Sequence, residues 1–135
     1  MQWLIDLIAE KVIAEIGVPP CYIDRGDDGS YDFTLANLTL DGPFHDLDVS
    51  GIVPEGATAV LFSFWGDSTD VPLSFVIQRK GGDAGGQEWR VTTQIAHVPV
   101  SHDGVVVCPD DRILEYRGTG FVWDFVGVRV KGWWL

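Results

Sequence analysis

The spacing of apolar residues changes once along this chain of 135 residues, and that change constrains the fold more than any other feature. Through the first 16 residues the apolar positions recur every three or four residues, whereas from about residue 31 they alternate with polar positions. A period near 3.6 residues is typical of an amphipathic helix, and a period of 2 is typical of a β-strand with one buried face. The sequence therefore predicts an N-terminal helix followed by an all-β domain.

The predicted helix, Met1 to Ile16, has two apolar stripes. The wider stripe consists of Ile5, Ile8, Ala9, Val12, Ile13 and Ile16, and the narrower one of Trp3, Leu7 and Ala14. Because a helix on the surface of a monomer needs one apolar face, a second stripe indicates a second neighbour. That neighbour is either another subunit or a second part of the same domain. Gly17 and the following Pro19-Pro20 end the helix.

Eight short strands are predicted in the rest of the chain. They are Phe33 to Leu40, Leu47 to Ile52, Thr58 to Trp65, Leu73 to Arg79, Trp89 to Ala96, Val105 to Cys108, Ile113 to Arg117 and Phe121 to Val130. Turn-rich pieces separate them and no helical pattern intervenes, which favours a jelly-roll-like antiparallel β-sandwich over βαβ units. We therefore divide the chain into an N-terminal helix and linker, residues 1–30, for anchoring and oligomerisation, and a β-sandwich domain, residues 31–135.

The charge of the chain excludes two classes of partner. Twenty acidic residues oppose nine basic ones, for a net charge of -11, and residues 1–56 contain 11 of the acidic residues. Binding to a phosphate backbone or to an anionic membrane surface requires a basic patch, so we expect no nucleic-acid and no membrane partner. No segment has the roughly 18 to 20 apolar residues of a membrane helix. The first residues also lack the basic run of a signal peptide.

Cysteines, histidines and acidic runs give no metal signature. Cys21 and Cys108 are too few for a disulfide framework, and two free buried thiols are favoured over a bridge. The three histidines lack the spacing of a zinc site. The acidic run from Asp24 to Asp32 departs from the EF-hand spacing and has no closing Glu, so a solvated loop is favoured over a calcium site. We predict no metal and no cofactor.

The sequence contains no motif of nucleophilic, metal-dependent or nucleotide-dependent catalysis. Whether two acidic residues form a pair suited to glycoside cleavage stays open at the level of sequence, because the separation of two carboxylates depends on the fold. Trp65, Trp89 and Trp123 could stack on sugar rings, although tryptophan in a strand more often packs in a core. We therefore expect a protein that is not an enzyme.

The last predicted strand is apolar on both faces, because valines alternate with aromatic residues from Phe121 to Val128. One face fills the sandwich core and the other requires cover. The terminal Trp133-Trp134-Leu135 adds to this excess of aromatic surface. A neighbouring subunit would supply the cover, or the tail would fold back over its own sandwich.

Three stretches resemble small β-sandwich modules of tailed-bacteriophage virion accessory proteins, of the head decoration, head fibre and tail fibre types. The stretches are Ile52 to Leu61, Cys108 to Tyr116 and Trp123 to Trp134. The resemblance covers roughly residues 44–135 and consists of turns and strand ends. It implies a non-enzymatic structural role, usually in a homotrimer whose sandwich faces outward. The absence of a Gly-X-Y tract and of a long stalk favours a short protein seated on the capsid.

We therefore expect a bacteriophage head decoration or cement protein, made in the host cytoplasm and located on the exterior of the virion. It would bind the major capsid protein or another virion protein as an oligomer, with a trimer favoured. The expected interface residues are Trp3, Leu7, Ile8, Val12, Phe121, Trp123, Phe125, Trp133 and Trp134. The alternative is a glycan- or receptor-binding module of a phage tail or head fibre, with a host surface glycan as its partner.

Overall fold

The computed structural model describes residues 21–26, 29–81, 88–119 and 122–135, and within these ranges it contains nine β-strands and no helix. The strands are β1 (Tyr22–Asp24), β2 (Phe33–Thr34), β3 (His45–Asp48), β4 (Ala59–Ser68), β5 (Ser74–Arg79), β6 (Glu88–Thr92), β7 (Val100–Val107), β8 (Ile113–Gly118) and β9 (Trp123–Trp134). The prediction of a mainly-β chain is confirmed, with nine strands rather than about eight. The predicted helix over residues 1–16 lies outside the described residues.

The strands form two antiparallel sheets. In sheet A the order is β1-β9-β4-β7, and β2 also pairs with β9, farther along that strand. In sheet B the order is β3-β8-β5-β6. From β2 onward the chain changes sheet at every connection except the one between β5 and β6. Strands that are neighbours in space are therefore mostly distant in sequence.

The inner faces of the two sheets cover each other. Alternate residues of β4 are buried, as the period of 2 requires, and Phe62 and Phe64 are fully inaccessible. From sheet B, Phe75 and Ile77 are equally buried, and the rings of Phe64 and Phe75 lie 5.1 Å apart between their centroids. The two sheets thus enclose one apolar core in the manner of a β-sandwich.

Each of the eight predicted strands overlaps an observed strand, but the strand predicted from Phe33 to Leu40 is only two residues long. It stops because the backbone N–H groups of Asn37 and Leu38 both donate to the carbonyl of Thr34, which turns the chain. After the turn Leu38 enters the core and Leu40 packs against Gly118 of β8. These two leucines fill the core from a loop instead of from a strand.

Strand β1 was not predicted. It pairs with the end of β9, from Tyr22 opposite Trp134 to Asp24 opposite Gly132. Three residues of the segment assigned to the N-terminal linker therefore belong to sheet A.

The face that each β9 side chain presents depends on two irregularities in its pairing with β4. Val126, Val128 and Val130 point into the core, as their alternation predicts. One register shift lies between Asp67 and Ser68, where Ser68 pairs with Trp123. A shift of one residue exchanges the two faces of a strand, so Trp123 turns inward and is 8% exposed.

Candidate functional site

Three aromatic side chains on the outer face of sheet A form a cluster. The ring centroid of Phe125 lies 4.9 Å from that of Trp65 and 5.6 Å from that of Tyr31, both at 65° between the planes. Tilted contacts of this kind are favourable for aromatic pairs. Trp65 is 37% exposed and Tyr31 is 40% exposed. Phe125 is thus covered by its own chain, while the other two rings remain open to a partner.

Beside this cluster lies a cleft of about 540 Å³, which we call the sheet A cleft. Its lining comes from β1, β4, β9 and the segment that precedes β2. The polar and aromatic side chains that line it are those of Tyr22, Asp24, Ser30, Tyr31, Ser63, Arg129 and Lys131. The cleft therefore combines aromatic rings with both donors and acceptors of hydrogen bonds.

Two glycines of β9 allow the tyrosine rings of the cleft to lie close to the sheet. A Cβ atom at Gly127 would come within 2.6 Å of the Tyr31 ring, and one at Gly132 within 2.4 Å of the Tyr22 hydroxyl oxygen. Position 132 requires glycine, because the backbone carbonyl oxygen of Ile23 would also lie 2.5 Å from the added Cβ atom. At position 127 a larger residue would displace the Tyr31 ring from the sheet. Between these two glycines β9 contributes Arg129 and Lys131 to the cleft.

Hydrogen bonds and ion pairs hold the charged residues of the cleft in place. The Nη2 of Arg129 donates to the carbonyl of Gly26 at 2.7 Å, and the Nζ of Lys131 lies 3.2 Å from Oδ2 of Asp103. Burial, together with the negative charge of Asp24, raises the pKa of Tyr22 above its ordinary value. The Tyr22 phenol, which at its ordinary pKa of about 10 is already protonated at neutral pH, donates to the carbonyl of Lys131 at 3.5 Å.

A second ion pair fastens the acidic run between β1 and β2 to the sheet. Arg25 and Asp32 form a salt bridge of 2.5 Å. The same carboxylate oxygen of Asp32 accepts from the backbone N–H of Val130 at 2.8 Å, and Arg25 donates to the carbonyl of Val130 at 3.2 Å. This end of the run is therefore attached to β9, while Asp24, Ser30 and Tyr31 are exposed to solvent. Among the residues that the structure describes, no three His, Cys, Asp or Glu side chains converge on a possible metal site.

Exposed apolar side chains also occur at the end of the sandwich where β4, β6 and β8 lead into their following loops. These side chains are Val71, Ile95, Val98 and Val122. The loops are tied together because Asp124 accepts a hydrogen bond from Thr69 at 2.8 Å and contacts His97 at 3.0 Å. This loop end is a second candidate contact surface.

The structure separates the predicted interface residues. Trp3, Leu7, Ile8, Val12 and Phe121 lie outside the described residues. Phe125 belongs to the aromatic cluster, and Trp123 is buried. Trp133 packs against the core, and the ring of Trp134 lies 4.9 Å from that of Tyr22. The half-buried C-terminal tryptophans thus contact their own sandwich.

Other predicted features have mixed outcomes. Of the tryptophans proposed to stack on sugars, Trp65 is exposed, whereas Trp89 and Trp123 are buried. Both cysteines are free, as favoured from the sequence, but Cys21 is exposed and only Cys108 is buried. Among the described residues there is no helix long and apolar enough to cross a membrane.

The residues that form the sheet A cleft, above all Tyr22, Arg129 and Lys131, were not predicted from the sequence. The sequence signal for them was the pair Gly127 and Gly132 within a strand of mostly large residues, because glycines in a strand often mark the close approach of another group. Comparison of the chain with protein-family models, with curated proteins and with solved structures finds no match. The function is therefore inferred from the residues of this chain alone.

Proposed function

We propose that this chain is a non-enzymatic structural protein of a tailed-phage particle, a head decoration or cement protein that binds the capsid as an oligomer, with a trimer favoured. The observation that supports this role most is that the inner faces of the two sheets cover each other. Within the described residues, each sheet thus covers one side of the core. The two apolar stripes that the sequence predicts for residues 1–16 are the surfaces that we expect to bind partners.

The place where the N-terminal segment joins the sandwich suits an anchor. The N–H of Cys21 donates to the carbonyl of Leu135 at 3.1 Å, and the N–H of Leu135 donates back at 3.0 Å. Cys21, the first described residue, therefore lies beside the C-terminal Leu135. Val71 and Val122 lie in the loops that follow β4 and precede β9, at the opposite ends of these strands from Thr58 and Leu135. If the N-terminal segment anchors the protein to the capsid at the Leu135 end, the loops that contain Val71 and Val122 would face away from the capsid.

The strand order supports a jelly roll as the finer description of the fold. Eight strands in the orders β1-β9-β4-β7 and β3-β8-β5-β6, with the chain passing repeatedly between the sheets, match two interleaved Greek keys. Short β2 extends the edge that β1 begins. Compact sandwiches of this kind suit the dense packing of a particle surface.

The proposed mechanism is stabilisation by buried area. An oligomer that bridges neighbouring capsid subunits adds contact surface at their joints, and mass action then favours the assembled shell. The net charge of -11 favours attraction to basic patches on a capsid and opposes self-aggregation.

Charged substitutions in the two apolar stripes test this role in the full-length chain. Leu7→Glu alters the narrower stripe and Ile8→Glu the wider one, while Gln94→Glu adds the same charge in the loop between β6 and β7 as a matched control. Each protein is mixed with capsids that lack the chain and sedimented. We expect the control to bind and both stripe variants to be lost from the pellet, with unchanged circular dichroism. Normal binding by both stripe variants would overturn the anchor.

A further inference from the structure

We propose that the sheet A cleft binds a neutral carbohydrate, through one or two pyranose rings placed between Tyr22 and Tyr31. The two rings rest on Gly132 and Gly127, which are five residues apart on β9. At about 3.3 Å per residue this separation is roughly 16 Å, long enough for a short saccharide. The cleft volume of about 540 Å³ also lies within the range of small-ligand sites.

The side chains of the cleft match both parts of a sugar. A pyranose has C–H faces that pack on aromatic rings, and the Tyr22 and Tyr31 rings provide such surfaces. Its hydroxyl groups both donate and accept, so they need partners of both kinds. The Asp24 carboxylate accepts, Lys131 donates, and the Ser63 hydroxyl does both.

The balance of charge favours a neutral sugar over an anionic one. Arg129 and Lys131 in the cleft are opposed by Asp24, and by Asp103, which lies 3.2 Å from Lys131. Among the described residues at the cleft, two positive and two negative groups thus leave no excess positive charge to capture a carboxylate or sulfate. A chain with a net charge of -11 also repels acidic glycans at long range.

The cleft is held in shape by backbone pairing. Tyr22 belongs to β1, which pairs with β9, and Asp32 next to Tyr31 accepts from the N–H of Val130. The Arg25 and Asp32 ion pair joins the end of β1, which carries Tyr22, to the segment that carries Tyr31. Because the side chains and loops of such a site are already ordered, they lose little conformational entropy when a ligand binds. This proposal does not depend on the virion role, because it concerns a different surface from the N-terminal segment.

The test uses the full-length protein and an array of neutral and acidic glycans. Nuclear magnetic resonance titrations with the methyl glycosides of glucose, galactose, mannose and N-acetylglucosamine follow, with N-acetylneuraminic acid as the acidic probe. We expect binding of at least one neutral glycoside and weaker or no binding of the acidic sugar. Absence of binding to every neutral glycan, or binding to acidic glycans alone, would overturn the proposal.

Variants then locate the binding site. Tyr31→Ala removes one of the two aromatic rings on which the sugar packs. Asp24→Asn replaces the anionic hydrogen-bond acceptor without a change of size. Each is expected to raise the Kd for the bound neutral glycoside by about tenfold. Val105→Ala changes an exposed side chain on the same face of sheet A, outside the cleft, and should leave the Kd within about twofold. An unchanged Kd in both cleft variants, with intact circular dichroism, would place the ligand elsewhere and reject the site.

Discussion

The indole ring of Trp89 packs directly on Gly104, so that a Cβ atom at position 104 would lie 2.3 Å from the ring. Trp89 is on β6, at the edge of sheet B, and Gly104 is on β7, at the edge of sheet A. The indole also stacks over Phe62 at 6.2 Å and donates a hydrogen bond to Nδ1 of His102 at 3.0 Å. This contact closes one side of the sandwich.

Gly104→Ala should therefore destabilise the protein, because the added methyl group displaces the buried indole. Overpacking of this kind costs about 1–3 kcal/mol in the free energy of unfolding. Gly51→Ala is the matched control, since nothing lies within 4 Å of a Cβ atom built at Gly51. Urea denaturation should show a lower midpoint for Gly104→Ala than for Gly51→Ala. Equal midpoints would contradict the packing described.

Two neighbours on β4 should respond differently to the same change. Phe64 is fully buried between the sheets, whereas Trp65 is 37% exposed on the outer face of sheet A. Phe64→Ala is expected to lower the free energy of unfolding by about 3–5 kcal/mol. Trp65→Ala should lower it by about 1 kcal/mol or less. If thermal and urea denaturation showed similar losses in the free energy of unfolding for the two variants, the alternation of buried and exposed residues along β4 would be contradicted.

The pH dependence of stability should contain a contribution from Asp48. Hydrogen bonds from the Ser50 side chain and its backbone N–H, the latter at 2.9 Å, hold the pKa of Asp48 below its ordinary value. Since the folded pKa is lowered, the stabilisation is present above the unfolded pKa of about 3.9 and is lost as the pH falls through the folded pKa.

Asp48→Asn should therefore lose less stability than the wild type between about pH 5 and pH 2, as measured by thermal denaturation at each pH. Asp70→Asn makes the same change of charge at an exposed loop residue and serves as the control. A wild-type pH dependence in Asp48→Asn would show that the contact with Ser50 does not contribute.

The two thiols should react at very different rates. Cys21 is exposed, whereas Cys108 is 7% exposed, and burial raises the pKa of the Cys108 thiol. The thiolate is the reactive form, so both effects slow the reaction of Cys108. Ellman's reagent at about pH 8 should titrate one thiol rapidly in the folded protein and the second only in denaturant. Fast reaction of both thiols under native conditions would contradict the burial of Cys108.

The alternation of apolar and polar residues in the sequence predicted the strands that have one clearly buried face. In β4 and β8 every second residue is buried, and this alternation is sufficient to find them from the sequence. β5 was found instead from its apolar run, since Phe75, Val76 and Ile77 are all fully buried. β1 left no such signal, because Tyr22, Ile23 and Asp24 are all exposed. Its position depends on pairing with a strand more than 100 residues away.

The cleft could not be predicted for the same reason. Tyr31 meets Gly127 and Tyr22 meets Gly132 only after β9 has taken its place in sheet A. The inward position of Trp123 likewise depends on an irregularity in pairing between β4 and β9, which the sequence of β9 alone does not contain. Contacts between distant strands therefore decide which aromatic residues face outward.

In the proposed virion role the chain is encoded by a tailed phage, and the most direct test of that role is the number of copies of the chain in purified particles of such a phage. Quantitative mass spectrometry would measure its ratio to the major capsid protein. A decoration protein should be present in many copies, at a fixed ratio that the capsid symmetry sets. Absence of the chain from the particles, or a handful of copies per particle, would contradict a capsid-stabilising role.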